Sequence, residues 1–214
     1  MTRVFLIRHG ATAANRSVPY RLQGRASDLP LDELGLEQAR RAAGALAGAG
    51  IPLEAVYSSP LLRTFETARA IAEACGPGLV AVPELVEAEI GRWEGLTWEE
   101  ARAQDPAQYE RFHDDPGTVP YPDGESFLDV ARRVGPAIAR LAAAHPEGAI
   151  AVVGHNVVNR AYLAEPLGLP IAKARSIRQA NGGISLVEYD PDGTARVVTL
   201  NACLHLEGIR DPTL

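Results

Sequence analysis

The sequence predicts an α/β domain of three layers: a mainly parallel central sheet flanked by helices, with a small helical cap insertion. Three observations lead there. Continuous apolar runs such as Val4-Phe5-Leu6-Ile7 and Ala149-Ile150-Ala151-Val152-Val153 read as strands buried on both faces. The segments between such runs space their apolar residues at helical intervals, so strands and helices alternate. The chain of 214 residues suits a single domain over 1–214, and no repeat or linker divides it.

Each element has its own signal. Asp32 is a good N-cap for a helix running to about Ala47, with Leu36, Ala39, Ala43 and Leu46 on one face. Ala55-Val56-Tyr57 reads as a second strand. Ser59-Pro60 then supplies an N-cap and a first-turn proline for a helix through about Ala74, whose buried stripe is Leu61, Phe65, Ala68 and Ala72. The stretch from Glu84 to about Pro122 lacks long apolar runs and scatters Trp93, Trp98, Tyr109 and Phe112 among charges. It reads as a cap-like insertion of short helices, about residues 84–122, beside the site. Glu125 to Ala144 is a long helix with Phe127, Val130, Val134 and Ile138 near helical spacing, and Asn156 opens another towards Leu163. Ser185 to Tyr189 and Ala195 to Leu200 form a closing hairpin about Pro191-Asp192-Gly193.

Composition removes several function classes. A net charge of −6 disfavours nucleic acid and anionic membrane as partners, although a pocket can be locally positive. No stretch approaches the ~18 apolar residues of a spanning helix. Met1-Thr2-Arg3 leads into an apolar run too short for a signal peptide, and Cys75 and Cys203 form no metal-type or redox pair. A cytoplasmic protein without disulfides is expected. Of 21 basic residues only Lys173 is a lysine, and its surroundings resemble neither a P-loop nor a Schiff-base site. The five histidines show no paired ligand spacing, so no metal and no cofactor are expected; His113 and His145 read as surface and helix-end residues.

The chemistry gathers at three strand-to-helix junctions: Arg8-His9-Gly10, Ser58-Ser59-Pro60 with Arg63, and Gly154-His155-Asn156. In an open α/β sheet the carboxyl ends of the strands share one edge, where ligands bind. Two histidines and two arginines therefore converge, beside helix N-termini that add free N–H groups. Such a pocket suits a phosphate dianion, two of whose oxygens a guanidinium fork can hold at once.

Arg8-His9-Gly10-Ala11-Thr12 with Asn15 resembles the opening motif of the histidine phosphatase superfamily, also called phosphoglycerate mutase-like. The resemblance continues through Gln23-Gly24, Leu29-Pro30-Leu31, and Tyr57-Ser58-Ser59-Pro60-Leu61 with Arg63 and Thr67. Glu87 before Gly91-Arg92-Trp93-Glu94-Gly95, then Gly124-Glu125-Ser126 and Gly154-His155, complete an ordered set that spans nearly the whole chain. The resemblance implies that His9 attacks phosphorus and becomes phosphohistidine. It implies that Arg8, Arg63 and His155 hold the non-bridging oxygens, with Asn15 and the start of the Asn156 helix assisting, and that Gln23 and Gly24 belong to the substrate site. Glu87 would be the general acid, with Glu89 as the nearby alternative. Phosphoryl transfer asks mainly for positioning and positive charge, which agrees with that division.

The expected activity is metal-independent hydrolysis of a small phosphate monoester, with a small phosphorylated metabolite as partner and a homodimer left open. The alternatives are a cofactor-dependent phosphoglycerate mutase and a catalytically inactive family member that acts as a binding protein. The short segment after Glu87, and the Gly-Arg-Trp-Glu-Gly and Gly-Glu-Ser segments, look more like the phosphatase branch. The tail Leu200-Asn201-Ala202-Cys203-Leu204-His205-Leu206 is similar to tails of metal-independent phosphoserine phosphatases, which makes phosphoserine a candidate substrate. Ile90 departs from that pattern, where those enzymes tend to carry a histidine. His205 would either meet a substrate carboxylate or merely cap the final strand.

Overall fold

The computed structural model describes residues 1–209. At its centre lies β1 (Thr2–Arg8), paired in parallel with β4 (Ala149–Gly154) on one side and antiparallel with β5 (Ile184–Tyr189) on the other. With β2 (Ala55–Ser58), β3 (Leu79–Ala81) and β6 (Ala195–Ala202) these strands form one sheet in the order β3-β2-β4-β1-β5-β6. Pairing is parallel from β3 to β1 and antiparallel through β5 and β6.

Successive side chains of a strand face opposite ways, so β1 feeds two cores. Phe5 and Ile7 pack with Ala151, Val153 and Val56 under α2 (Glu33–Gly48) and α3 (Leu62–Cys75). Val4 and Leu6 pack with Ile150 and Val152 under α6 (Phe127–Ala143) and α7 (Asn156–Ala164). All four apolar residues expected on the face of α6, namely Phe127, Val130, Val134 and Ile138, are buried. Among the described residues no helix is long and apolar enough to cross a membrane.

The shorter elements are α1 (Ala13–Arg16), α4 (Trp98–Gln104), α5 (Pro106–Asp114) and short 3₁₀ segments, the longest Ile171–Ser176. Trp93 is fully buried against Phe112 at 5.5 Å and Tyr121 at 5.9 Å between ring centres, which gives the expected short-helix region an aromatic core of its own. Arg133 on α6 ties the chain from Glu84 to Glu87 to that helix. Its guanidinium donates to the carbonyls of Glu84, Val86 and Glu87 and forks onto the Glu125 carboxylate.

Helix faces differ from expectation in two places. Asp32 does cap α2, accepting from the Gly35 N–H at 2.8 Å, but Leu36 is exposed while Gly35 and Gln38 are buried. The first turn of α2 presses Gly35 against the backbone of Ala11, which turns Leu36 outwards. On α3 the helix starts at Leu62 rather than at Pro60, with Leu61 as its N-cap. Phe65 stands exposed, and the buried positions are Arg63, Thr64, Thr67, Ala68 and Ile71. The threonine hydroxyls satisfy themselves on helix carbonyls, Thr64 on Leu61 and Thr67 on Arg63, so polar residues occupy a face that an apolar count assigns elsewhere. β3 has only three residues at the sheet edge, too few for a periodic signal.

The contact between α2 and the loop after β1 depends on two glycines. A Cβ at Gly10 would overlap the Gly35 carbonyl, and one at Gly35 would overlap the Ala11 carbonyl. Gly44, on the same helix, has open space around it. Gly35→Ala should therefore destabilise the protein by about 1–3 kcal/mol through overpacking. Gly44→Ala should stabilise it by about 0.4–1 kcal/mol through the unfolded chain. Denaturant melts of the two variants check this; a stabilising Gly35→Ala would refute the close approach.

Candidate active site

The parallel register of β1 and β4 places Arg8 opposite Gly154, so the next residues, His9 and His155, emerge side by side at the carboxyl edge of the sheet. Their ring centres are 5.3 Å apart. His9 Nδ1 lies 2.6 Å from the Gly10 carbonyl oxygen, which can only accept, so Nδ1 carries the proton and Nε2 keeps its lone pair. The backbone around His9 is held from both sides. Gly10 N–H donates to Thr67 Oγ1, and the Asn181 amide donates to the His9 carbonyl.

Two guanidiniums flank the imidazoles. Arg8 donates to the Gln179 carbonyl at 2.6 Å and is buried. Arg63, in the first turn of α3, is wholly buried and donates to the carbonyls of Ser27 and Gly24. Several buried polar atoms at this edge have no protein partner: both ring nitrogens of His155, Arg63 Nε and Gln23 Nε2. Arg63 Nε and Gln23 Nε2 are donors, and a neutral imidazole always offers one. Leaving buried donors unpaired costs about 1–3 kcal/mol each, so the arrangement calls for an anion with several acceptor oxygens.

Glu87 is buried beside them. Its carboxylate accepts from the N–H groups of Ala88 at 2.9 Å, Val157 at 3.2 Å and Val158 at 3.2 Å. The opening N–H groups of α7 are thus directed at Glu87, whereas the sequence reading assigned them to the phosphate. Burial raises the Glu87 pKa above the ordinary carboxyl range, against the opposing pull of these N–H groups and of Arg63. Burial and then the positive charges of Arg63 and Arg8 hold His9 well below the usual imidazole range, and burial, Arg63 and His9 do the same for His155. Both rings are neutral at physiological pH. Glu89 is partly exposed and paired with Arg25, so of the two acids the structure brings Glu87 to the histidines.

The remaining expected residues divide. Asn15 is buried, its side-chain oxygen accepting from Thr12 and Asn181. Gln23 accepts from the Thr12 hydroxyl, and Gly24 contributes its carbonyl to Arg63. Asn156 lines a cavity at the mouth of the site together with Arg8. His205 is not brought there. Its Nε2 bonds the Gly182 carbonyl at 2.9 Å, next to Arg41 of α2. Sequence reading missed Tyr20, Arg160, Arg175 and Arg178, which line the cavities leading from the site. Only Arg160 carried a readable signal, one helical turn beyond Asn156. Among the described residues no group of three or more His, Cys, Asp or Glu side chains is placed to hold a metal.

Comparison with known proteins agrees with this geometry. The model of the histidine phosphatase superfamily (branch 1) matches residues 4–202. The chain is 34% identical over 200 residues to the bifunctional protein Rv2228c of Mycobacterium tuberculosis, covering 94% of this chain and 54% of that protein. It therefore spans about half the length of that mycobacterial relative. It is 31% identical over 206 residues to phosphoserine phosphatase 1 of Hydrogenobacter thermophilus, covering 96% of this chain and 95% of the relative. The structure of Bacillus stearothermophilus YhfR superposes with a TM-score of 0.87 at 30% identity, covering 97% of this chain and all (100%) of YhfR. With the match running from β1 to the end of β6 and the two histidines, two arginines and buried glutamate gathered at one sheet edge, the chain belongs to the histidine phosphatase superfamily, branch 1.

Proposed function

We propose that the protein is a metal-independent phosphatase that hydrolyses a small phosphate monoester through a phosphohistidine on His9. The observation that carries this reading is the pairing of neutral, buried His9, its Nδ1 bonded to Gly10, with partner-seeking donors on His155 and Arg63. His9 Nε2 attacks phosphorus, and the bond from phosphorus to the ester oxygen breaks. Arg8, Arg63 and His155 hold the three non-bridging oxygens, where the transition-state charge collects. The proton of Glu87 goes to the leaving oxygen. The resulting carboxylate then takes a proton from water, whose oxygen attacks the phosphohistidine and releases Nε2 and inorganic phosphate. The raised proton affinity of Glu87 suits it to hold that proton before the first step. Phosphoserine stays among the substrates to test because the Hydrogenobacter thermophilus relative carries that name.

His9→Ala should lower turnover by several orders of magnitude with the fold retained. Rapid quenching of the wild type with labelled substrate should trap acid-labile, base-stable phosphate on the protein. Near-normal turnover by the variant would overturn the assignment. Activity should also survive exhaustive chelation, and restoration of chelator-lost activity by Mg²⁺ or Zn²⁺ would point to a different mechanism.

Glu87→Gln separates acid catalysis from binding. Hydrolysis of an alkyl phosphate, with its basic leaving alkoxide, should fall steeply, while the first step with p-nitrophenyl phosphate should fall much less. Stability supplies an independent readout. Because the folded pKa of Glu87 lies above its unfolded value of 4.5, the wild type loses stability as pH rises from 4.5 through the folded pKa. Glu87→Gln lacks that loss, so its melting temperature relative to wild type should climb over the same interval, by on the order of a few degrees. A gap that is flat from pH 4 to pH 8 would remove the raised pKa from the argument.

A further inference from the structure

Beyond the phosphate pocket the site opens into two adjoining hollows that share Tyr20, Asn156 and Arg160. The outer one, about 210 Å³, is also lined by Arg8, Arg178 and Gln179. The inner one, about 120 Å³, reaches Glu87 and Arg175. Four arginines therefore line this space, and Glu87 is the one carboxylate among the described residues that line it. Arg8 belongs to the phosphate pocket, which leaves Arg160, Arg175 and Arg178 in excess.

Two of the excess cations are held in place. Arg160 is largely buried and donates from Nε to the Ile177 carbonyl at 2.8 Å, so its position is set by backbone. The Arg175 guanidinium lies over the rings of Trp98 at 5.1 Å and Phe112 at 5.7 Å. Among the described residues none of Arg160, Arg175 and Arg178 forms an ion pair. The other acids around Glu87 are committed elsewhere: Glu84 to Arg140, Glu89 to Arg25, Glu94 to the Gly24 N–H, and Glu125 to Arg133.

We infer that Arg160 and Arg178 form a second anion subsite, which selects phosphate esters whose alcohol part carries a carboxylate and no ammonium group. The inference rests on the phosphatase reading above and names its substrate class. A carboxylate can accept a forked pair of N–H groups from a guanidinium. An ammonium group in the same space would meet arginines, and the one acid there, Glu87, already accepts from the N–H groups of Ala88, Val157 and Val158. Burial, with repulsion from Arg8 and Arg175, brings the Arg160 pKa down to about 10, and an anion beside it would relieve that repulsion.

Three esters of one carbon skeleton test this: 3-phosphoglycerate, glycerol 3-phosphate and L-phosphoserine, with p-nitrophenyl phosphate as a reference. Exchanging the carboxylate for CH₂OH should lower kcat/KM about 30-fold, the size of one charge-assisted contact of about 2 kcal/mol. Exchanging the hydroxyl for ammonium should lower it about tenfold. Arg160→Met and Arg178→Met should each draw the ratio of 3-phosphoglycerate to glycerol 3-phosphate towards one, and Arg160→Lys should restore part of it. Arg178 is exposed, so its variant tests the subsite even if Arg160→Met fails to fold. Equal use of 3-phosphoglycerate and glycerol 3-phosphate by the wild type, an unchanged ratio in folded variants, or a preference for L-phosphoserine overturns the subsite and leaves the phosphatase reading standing. Absence of hydrolysis of all four esters overturns the phosphatase reading itself.

Discussion

The in-register parallel pairing of β1 with β4 is the contact on which the rest of the site depends. Arg8 faces Gly154 across the ladder, and each strand ends one residue before a histidine. Because side chains alternate along a strand, a slip of one residue in either partner would send one imidazole to the opposite face. The apolar residues enforce the register: Val4 and Leu6 of β1, and Ile150 and Val152 of β4, must enter one core while their neighbours enter the other. The packing that stabilises the sheet is thus the same packing that brings the two rings within 5.3 Å.

What surrounds those rings works against stability. A buried carboxyl group with raised proton affinity, two imidazoles kept neutral by burial and cations, and several unpartnered donors are each unfavourable in a folded protein. They persist because the framework around them is overdetermined. Gly10 and Gly35 allow backbone to touch backbone, the Gly10 carbonyl holds His9 Nδ1, and the start of α7 cradles Glu87. The chemistry is concentrated where local rules of burial are broken, and the surrounding packing offsets the cost.

Much of this was legible in the residues. Buried strands announce themselves as apolar runs, and the N-cap of α2 and the buried stripe of α6 follow local rules that tertiary packing did not overturn. His9, Arg8, Arg63 and His155 were readable because they sit just after strands or at the start of a helix, where topology alone brings them to one edge. Three kinds of feature were not readable. The stripe of α3 is polar, since Thr64 and Thr67 satisfy their hydroxyls on the helix itself. The path of residues 171–178 follows from packing against α7 and not from periodicity, so Arg175 and Arg178 carried no signal. The tail at His205 docks on the Gly182 carbonyl near α2, a long-range contact that no short window of sequence contains.

Arg133 holds the chain around Glu87 from the neighbouring helix α6. Its five N–H groups reach the carbonyls of Glu84, Val86 and Glu87 and the carboxylate of Glu125, so the backbone before and at Glu87 is anchored to α6 and to the residue just ahead of it. The stretch from Gly91 through Pro122 has its own aromatic core around Trp93, so the position of Glu87 does not rest on that stretch alone. Such a division would let the residues lining the outer hollows change while the buried carboxyl keeps its place beside the histidines.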